Sequence, residues 1–174
     1  TTRVCTYDRA GMGWSESSPN PRTAREYAKE LHTLLEKANV PGPYVLVGHS
    51  MGGFTVIVYA RDYPTDVSGL VLVDTQDLPK SDGAAPKPAP KPGGFSLPPL
   101  LARIGVVRLL AGPLGAIQDL PEGDKQAYTA YAVALRSVQT FTDEGMGLSE
   151  GGAQARAVTS LGALPLIVLT AGKD

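Results

Sequence analysis

The chain has 174 residues, a hydrophobic content of 43% and a formal net charge of −1 at pH 7, which is typical of one soluble globular domain with a sizeable core. Its lysines and arginines are scattered without a basic block, so neither composition nor charge indicates a nucleic-acid partner. The single cysteine excludes an internal disulfide bond, and the lack of an apolar run of about eighteen residues argues against a membrane-spanning helix.

The first predicted element is a short strand over residues 3–7, with Cys5 expected in the core. It leads into a glycine-rich loop, Asp8-Arg9-Ala10-Gly11-Met12-Gly13-Trp14-Ser15. An aspartate at the start of such a loop usually accepts backbone N–H bonds, so Asp8 is predicted to hold the turn rather than to contact substrate. Trp14 is expected either to border a pocket or to pack against the fold.

A helix is predicted next, because apolar residues recur at helical spacing over residues 24–38. Thr23 and Glu26 have capping-box spacing at its start, and Pro41-Gly42-Pro43 separates it from a predicted strand over residues 44–47. His32 lies on the flank of this helix, where a half-exposed position is expected rather than a catalytic one.

The most informative motif is Gly48-His49-Ser50-Met51-Gly52, which follows that strand and precedes a predicted helix over residues 51–63. A serine between two glycines at a strand-to-helix turn is typical of a nucleophile elbow, in which a strained turn presents the hydroxyl above the sheet edge. We predict that side chains at Gly48 and Gly52 would collide with the backbone, and that Gly53 leaves bare helix surface against the sheet. Free N–H groups at the start of the helix would favour a developing oxyanion.

Two further apolar runs predict strands over residues 69–73 and 166–169, of the kind that is buried on both faces of a sheet. Strands that alternate with helices predict a doubly wound, mostly parallel α/β sheet of about four strands with flanking helices. Between these runs, helical patterns over residues 97–114, 122–138 and 150–161 predict a helical cap insertion above the strand ends, where ligands of open α/β sheets bind.

The predicted organisation is therefore a core over residues 1–77, a Pro/Lys/Gly-rich loop over 78–95, the helical cap over 96–163, and a core strand with an acid turn over 164–174. The charged pair Asp143 and Glu144 is expected on a solvated face of the cap. Apolar cap residues are expected mainly to pack the cap together, and alternatively to line an acyl pocket: Leu97, Leu100, Leu101, Ile104, Val107, Leu110, Tyr128 and Tyr131.

Four features in this order resemble the α/β-hydrolase superfamily: the loop over residues 8–15, the elbow over 48–52, the strand over 70–74 and the proline-led segment over 165–174. The chain is most similar to bacterial, cap-bearing, esterase-like members with a D-R-x-G-x-G-x-S loop and a G-P-Y-V-L-V-G-H-S-x-G-G elbow. The similarity covers nearly the whole chain and is strongest over residues 43–53.

The resemblance implies a catalytic triad in which Ser50 attacks the carbonyl, the Met51 N–H is one oxyanion donor and Asp174 is the acid. Asp74 and Asp77, after the preceding strand, are alternative acids. The family places the elbow histidine, His49, structurally, so no catalytic base is predicted within the chain. We therefore expect an internal fragment of a longer hydrolase, without its first strands and catalytic histidine, that is poorly soluble and inactive when expressed alone.

The activity implied by the resemblance is hydrolysis of a carboxylic ester or related small-molecule acyl compound through a Ser50 acyl-enzyme, with neither a metal nor an organic cofactor. An acyltransferase or an aminopeptidase-like α/β hydrolase is an alternative, and so is a non-catalytic ligand-binding homologue. Epoxide and haloalkane chemistry is disfavoured, because those relatives have aspartate where this chain has Ser50. A cytoplasmic location is slightly favoured, and the oligomeric state is left open.

Overall fold

The computed structural model describes residues 3–75, 85–111 and 121–172. The chain divides into two compact units: unit 1 combines Thr1–Pro21 with Pro90–Gly145, and unit 2 combines Arg22–Ala89 with Met146–Asp174. The elements in chain order are α1 (Ala24–Lys37), β1 (Tyr44–His49), α2 (Gly52–Asp62), a 3₁₀ turn (Pro64–Asp66), β2 (Val67–Val73), α3 (Leu97–Arg103), α4 (Val106–Ala111), α5 (Glu122–Ala132), α6 (Leu135–Arg156) and β3 (Leu166–Leu169).

The strands of unit 2 form a parallel sheet in the order β1-β2-β3. The predicted parallel α/β architecture with flanking helices is thus confirmed, with three strands in the described residues instead of about four. The strand predicted over residues 3–7 is wrong, because this segment is irregular and makes no ladder with the described strands. Cys5 is exposed rather than in the core.

Helices α1 and α2 cover one face of this sheet. Leu46, Leu70 and Leu72 point to the helices and pack with Phe54 and the other buried side chains of the core. On the other face, Val45 and Val47 are more than half exposed, and all of β3 is exposed. The expectation that the later strands are buried on both faces is therefore wrong for the described residues, because only one face has helices packed on it.

The N-terminus of α1 is capped by a distant side chain. Thr23 makes no side-chain capping bond, so the predicted capping box is wrong. Instead, the Arg25 backbone N–H donates to Gln154 Oε1 on α6 at 2.8 Å, and Gln154 Nε2 donates to Glu150 Oε1 at 3.0 Å. Gln154 therefore satisfies an N–H group that has no acceptor inside the helix, and it ties the end of α6 to the start of α1.

Helix α6 continues through the glycines that were expected to interrupt it. It has 22 residues, whereas the sequence predicted a separate helix over residues 150–161. A Cβ atom at Gly147 would collide with the Arg22 carbonyl oxygen, and one at Gly151 would lie 3.3 Å from the Ala24 nitrogen. These glycines allow the helix to approach the backbone closely, which explains why they lie inside it.

The other predicted cap helices are present in the described residues with different bounds. Helices α3 and α4 divide the segment predicted over residues 97–114, and α5 ends at Ala132 instead of continuing to residue 138. The domain boundaries at residues 77, 95 and 163 stay a prediction. In the described part of the chain, no helix has the length and hydropathy needed to cross a bilayer.

Polar side chains fix the glycine-rich loop of unit 1. Arg9 Nε and Nη2 donate to Glu144 Oε1 at 3.0 and 2.8 Å. Asp143 accepts the Gly93 N–H at 3.2 Å. Asp143 and Glu144 are only 3% and 4% exposed, so the expected solvated face is wrong: each carboxylate is buried against hydrogen-bond donors.

The loop also has an internal anchor at Asp8. Asp8 Oδ2 accepts the Trp14 N–H at 3.3 Å, and the Asp8 carbonyl accepts the Ser15 hydroxyl at 2.7 Å. The predicted turn-holding role is therefore confirmed. Trp14 is 94% exposed, so the expected packing is wrong, and a position at the border of a pocket stays a prediction.

We predict that Gln154→Ala lowers the free energy of unfolding by about 1 kcal/mol, because the Arg25 N–H loses its acceptor. Thr33→Ala is the matched control, since Thr33 Oγ1 donates to the Lys29 carbonyl inside the same helix at 2.9 Å. Its effect is expected within about 0.5 kcal/mol. Urea unfolding followed by circular dichroism measures both variants, and equal losses would show that Gln154 does not cap α1.

Candidate active site

The turn around Ser50 joins the C-terminal end of β1 to the N-terminus of α2. Ser50 is in the left-handed region with φ of 51°, which is unfavourable for a residue with a side chain. Its backbone N–H donates to the Val73 carbonyl of β2 at 3.0 Å, and its carbonyl accepts the Gly53 N–H at 3.0 Å. These bonds hold the strained residue at the edge of the sheet, with its side chain half-buried.

The three glycines around this turn have different roles. A Cβ atom at Gly48 would lie 2.6 Å from the Gly52 carbonyl oxygen and 2.8 Å from the Gly53 nitrogen, so β1 and α2 meet too closely for a side chain. A Cβ atom at Gly53 would collide with the Thr75 side chain, just after β2. The predicted collision at Gly52 is wrong, because that position points into open space.

The start of α2 supplies the polar groups nearest to Ser50 along the chain. Met51 is the N-cap residue with helical dihedral angles, φ −55° and ψ −28°. The Phe54 N–H donates to the Met51 carbonyl at 3.1 Å, so the first turn of the helix is closed directly after Ser50. N–H groups at a helix N-terminus have no intrahelical acceptor and carry partial positive charge, which favours an anion there.

Asp74 follows β2 at the same edge of the sheet. His49 pairs in register with Val73, so Ser50 and Asp74 are the next residues of two neighbouring parallel strands. Asp74 is also left-handed, with φ of 42°, and its N–H donates to the Leu169 carbonyl at 2.7 Å. Its side chain is exposed. The other two acid candidates, Asp77 and Asp174, lie outside the described residues.

His32 belongs to a polar cluster at the opposite end of the sheet. Its Nδ1 lies 3.2 Å from Asp66 Oδ2, and its ring stacks on Tyr63 with 3.8 Å between centroids. Burial and the charge of Asp66 raise the pKa of the neighbouring Tyr59. Asp66 precedes the seven-residue β2, which spans about 20 Å, whereas Ser50 lies beside its far end. His32 is 24% exposed, as predicted, and is too distant to act on Ser50.

His49 also lacks the geometry of a base. It is the last residue of β1, it is exposed, and it precedes the Ser50 turn directly along the backbone. In the described residues, no hydrogen bond joins its imidazole to the Ser50 hydroxyl. Neither histidine of the chain is therefore placed to deprotonate Ser50.

Arg22 is a buried charged residue to which the sequence pattern gave no role. Its side chain is 2% exposed, pairs with Glu30 Oε1 at 2.7 Å and lies 4.9 Å from the centre of the Tyr27 ring. It lines a small pocket of unit 2 together with Met51 and Phe54. The pocket touches the first turn of α2, so the Arg22–Glu30 pair helps to define the surroundings of Met51.

Comparisons with known proteins agree with this geometry. Residues 2–98 match a family model described as the alpha/beta hydrolase fold. A protein of Schizosaccharomyces pombe is 44% identical over 73 residues, which cover 42% of this chain and 14% of the relative. The (lyso)-N-acylphosphatidylethanolamine lipase of Bos taurus is 35% identical over 78 residues, which cover 42% of this chain and 22% of the lipase.

Solved structures show the same fold. The epoxide hydrolase CorEH has a TM-score of 0.61 with 18% identity, and the match covers 92% of this chain and 62% of that protein. Cfl2 of Burkholderia cenocepacia has a TM-score of 0.62 with 20% identity, and covers 92% of this chain and 60% of Cfl2. The chain thus spans less than two thirds of the structures it resembles, and its match covers a still smaller part of its curated relatives.

We predict that Gly48→Ala prevents normal formation of the turn, whereas Gly52→Ala leaves stability within about 0.5 kcal/mol of the unsubstituted chain. In Gly48→Ala, the added Cβ atom meets backbone that cannot move without separating β1 from α2. In Gly52→Ala, the added Cβ atom lies in open space. Thermal unfolding and limited proteolysis would distinguish the two variants. A stable Gly48→Ala protein with unchanged protease resistance would contradict the close approach of strand and helix.

Proposed function

The chain belongs to the α/β-hydrolase fold family, and on this premise we propose that Ser50 is the nucleophile of a serine hydrolase that cleaves a carboxylic ester or a related acyl compound. The observation that supports this most directly is the left-handed Ser50 between β1 and α2. A non-glycine residue keeps such a conformation only where its surroundings enforce it, and strand–turn–helix geometry around a G-x-S-x-G sequence is the context of a nucleophile elbow.

In the proposed reaction, Ser50 Oγ attacks the carbonyl carbon while a base removes its proton. The carbonyl oxygen becomes an oxyanion, for which the Met51 N–H at the start of α2 is the proposed donor. Collapse of this tetrahedral intermediate breaks the bond to the leaving group and leaves an acyl-enzyme, with the proton passing to the departing oxygen. Water, activated by the same base, then attacks the acyl group and restores the Ser50 hydroxyl.

The proposed acid is Asp174, carried over from the resemblance of the segment over residues 165–174 to the acid turn of the family. Asp74 is the alternative, and its support is positional: the register puts it beside Ser50 at the ends of two neighbouring strands. Because the two histidines of the chain are not placed to act on Ser50, we propose that the base lies in polypeptide beyond these 174 residues.

The lipase relative supports acyl chemistry, because its name describes cleavage of an acyl compound and its match includes 42% of this chain. The epoxide hydrolase has 18% identity and supports the fold alone. Ser50 distinguishes this chain from relatives that have an aspartate as the nucleophile at the same position. We therefore propose a small-molecule acyl substrate. Transfer to an acceptor other than water is the competing outcome of the same intermediate.

We predict that a fluorophosphonate probe labels Ser50 in the full-length protein, and that Ser50→Ala abolishes this labelling. Such probes react with an activated serine hydroxyl but not with an ordinary one. Ser68→Ala is the matched control, because Ser68 is an exposed serine of β2 whose hydroxyl donates to the Tyr44 carbonyl at 3.1 Å. Labelling that persists in Ser50→Ala would refute the nucleophile. Product analysis with water and an added alcohol separates hydrolysis from acyl transfer.

Two asparagine variants distinguish the candidate acids. If Asp174 orients the base, we predict that Asp174→Asn lowers kcat by about 10⁴-fold, whereas Asp74→Asn changes it by less than about ten-fold. The steady-state rate of p-nitrophenyl ester hydrolysis by the full-length protein measures both. The reverse pattern would assign the acid to Asp74, and losses of similar size in both variants would contradict a single orienting carboxylate.

A further inference from the structure

The segment over residues 95–111, named here the α3–α4 segment, has several large apolar side chains exposed to solvent. Leu97, Leu100 and Ile104 recur at intervals of three and four residues and therefore lie along one side of α3. Ile104 is 66% exposed, and Phe95 and Leu109 at the two ends of the segment are 91% and 78% exposed. The buried residue of α3 is Pro99.

The expected packing within the cap is wrong for Leu97, Leu100 and Ile104, which are exposed, whereas Leu101 and Val107 are partly buried. In unit 1, the buried positions of α6 are Ser137, Thr140, Asp143 and Glu144, whereas Phe141 of the same helix is 72% exposed. Of these, Asp143 and Glu144 bond to loops of the same unit, whereas large apolar groups of unit 1 such as Phe141 are exposed. Several large exposed apolar side chains within one short segment are typical of an interaction site.

The charges near the α3–α4 segment have one sign. Residues 83–118 contain Lys87, Lys91, Arg103 and Arg108 and no aspartate or glutamate. Arg103 and Arg108 are both exposed and lie within the segment itself. The net charge of the whole chain is −1, so this region differs in sign from the chain as a whole. Anionic groups would meet these arginines without repulsion from carboxylates of the segment itself.

We propose that the α3–α4 segment docks on an anionic phospholipid surface. Apolar side chains on short helices, flanked by arginines and an aromatic residue, are the composition of segments that lie in the interface between headgroups and acyl chains. Phe95, Ile104 and Leu109 enter the acyl boundary, and Arg103 and Arg108 bind phosphate oxygens. Docking of this kind is peripheral and is independent of a membrane-spanning helix.

Charge favours lipid over a second copy of the chain. Two copies that joined their α3–α4 segments would bring four arginines together with no carboxylate from either segment to neutralise them. An anionic membrane surface neutralises the same arginines and attracts each one by about 1 kcal/mol, which corresponds to about a five-fold change in binding.

Vesicle flotation tests this proposal, because bound protein rises with the vesicles while free or aggregated protein does not. We expect the protein to float with vesicles of phosphatidylcholine and phosphatidylglycerol, and to float much less with phosphatidylcholine alone. Arg103→Gln and Arg108→Gln are each expected to weaken binding about five-fold, with a further loss at high salt. Ile104→Ser combined with Leu109→Ser is expected to abolish flotation.

Matched controls are available outside the segment. Phe141→Ser removes an exposed aromatic residue of α6, and Arg3→Gln removes an exposed cation, so neither is expected to change flotation. Ser50→Ala is expected to float normally, which makes this test independent of the proposed hydrolase. Circular dichroism checks that each variant keeps its helical content.

Three results would overturn the proposal. The first is protein that stays at the bottom of the gradient with anionic vesicles. The second is an equal effect of the segment variants and the controls. The third is the absence of flotation together with a dimer in analytical ultracentrifugation. If the double variant Ile104→Ser, Leu109→Ser dissociates that dimer, the surface binds a second copy of the chain.

Discussion

The close approach of β1 to α2 is the constraint on which the candidate site depends. A Cβ atom at Gly48 would lie only 2.6 Å from the Gly52 carbonyl oxygen of the helix. Glycine is the amino acid without a Cβ atom, so no other residue fits there. Between these two elements the chain changes direction within two residues, Ser50 and Met51, and Ser50 adopts the left-handed conformation. The hydrogen bond from Ser50 to Val73 and the contact of Gly53 with Thr75 then attach the turn to β2. Backbone packing, rather than any bond of the Ser50 side chain, therefore determines where the hydroxyl is located.

The part of the fold that sequence could predict is the part that rests on local patterns. The apolar runs of β1, β2 and β3 and the periodicity of α1 identified these elements to within a few residues, because each has a distinct repeat of hydrophobic residues. The elbow was equally accessible, since a short motif between a strand and a helix defines it. Gly52 could not be predicted in this way: its place in the pentapeptide suggested a collision, but the fold leaves its Cβ position open.

Features that depend on residues far apart in the chain could not be predicted. Gln154 caps a helix that begins 130 positions earlier, and Thr23, which has the right local spacing, makes no side-chain capping bond. Gly147 and Gly151 of α6 indicate a helix end by propensity, yet they lie against the backbone of Arg22 and Ala24. Glu144 looked like a solvated acid until the structure placed Arg9 beside it. In each case the partner is set by tertiary packing, for which a single sequence has no periodic signal.

The strained backbone of Ser50 has an evolutionary consequence. Glycine adopts a left-handed conformation without the steric cost that a Cβ atom brings, which is roughly 1–2 kcal/mol per residue. Thermodynamics alone would therefore replace Ser50 with glycine, and only selection for the hydroxyl opposes that drift. If Ser50 is the proposed nucleophile, a descendant without that chemistry would be free to relax this position, and the identity of residue 50 across a lineage would then record whether catalysis has been retained.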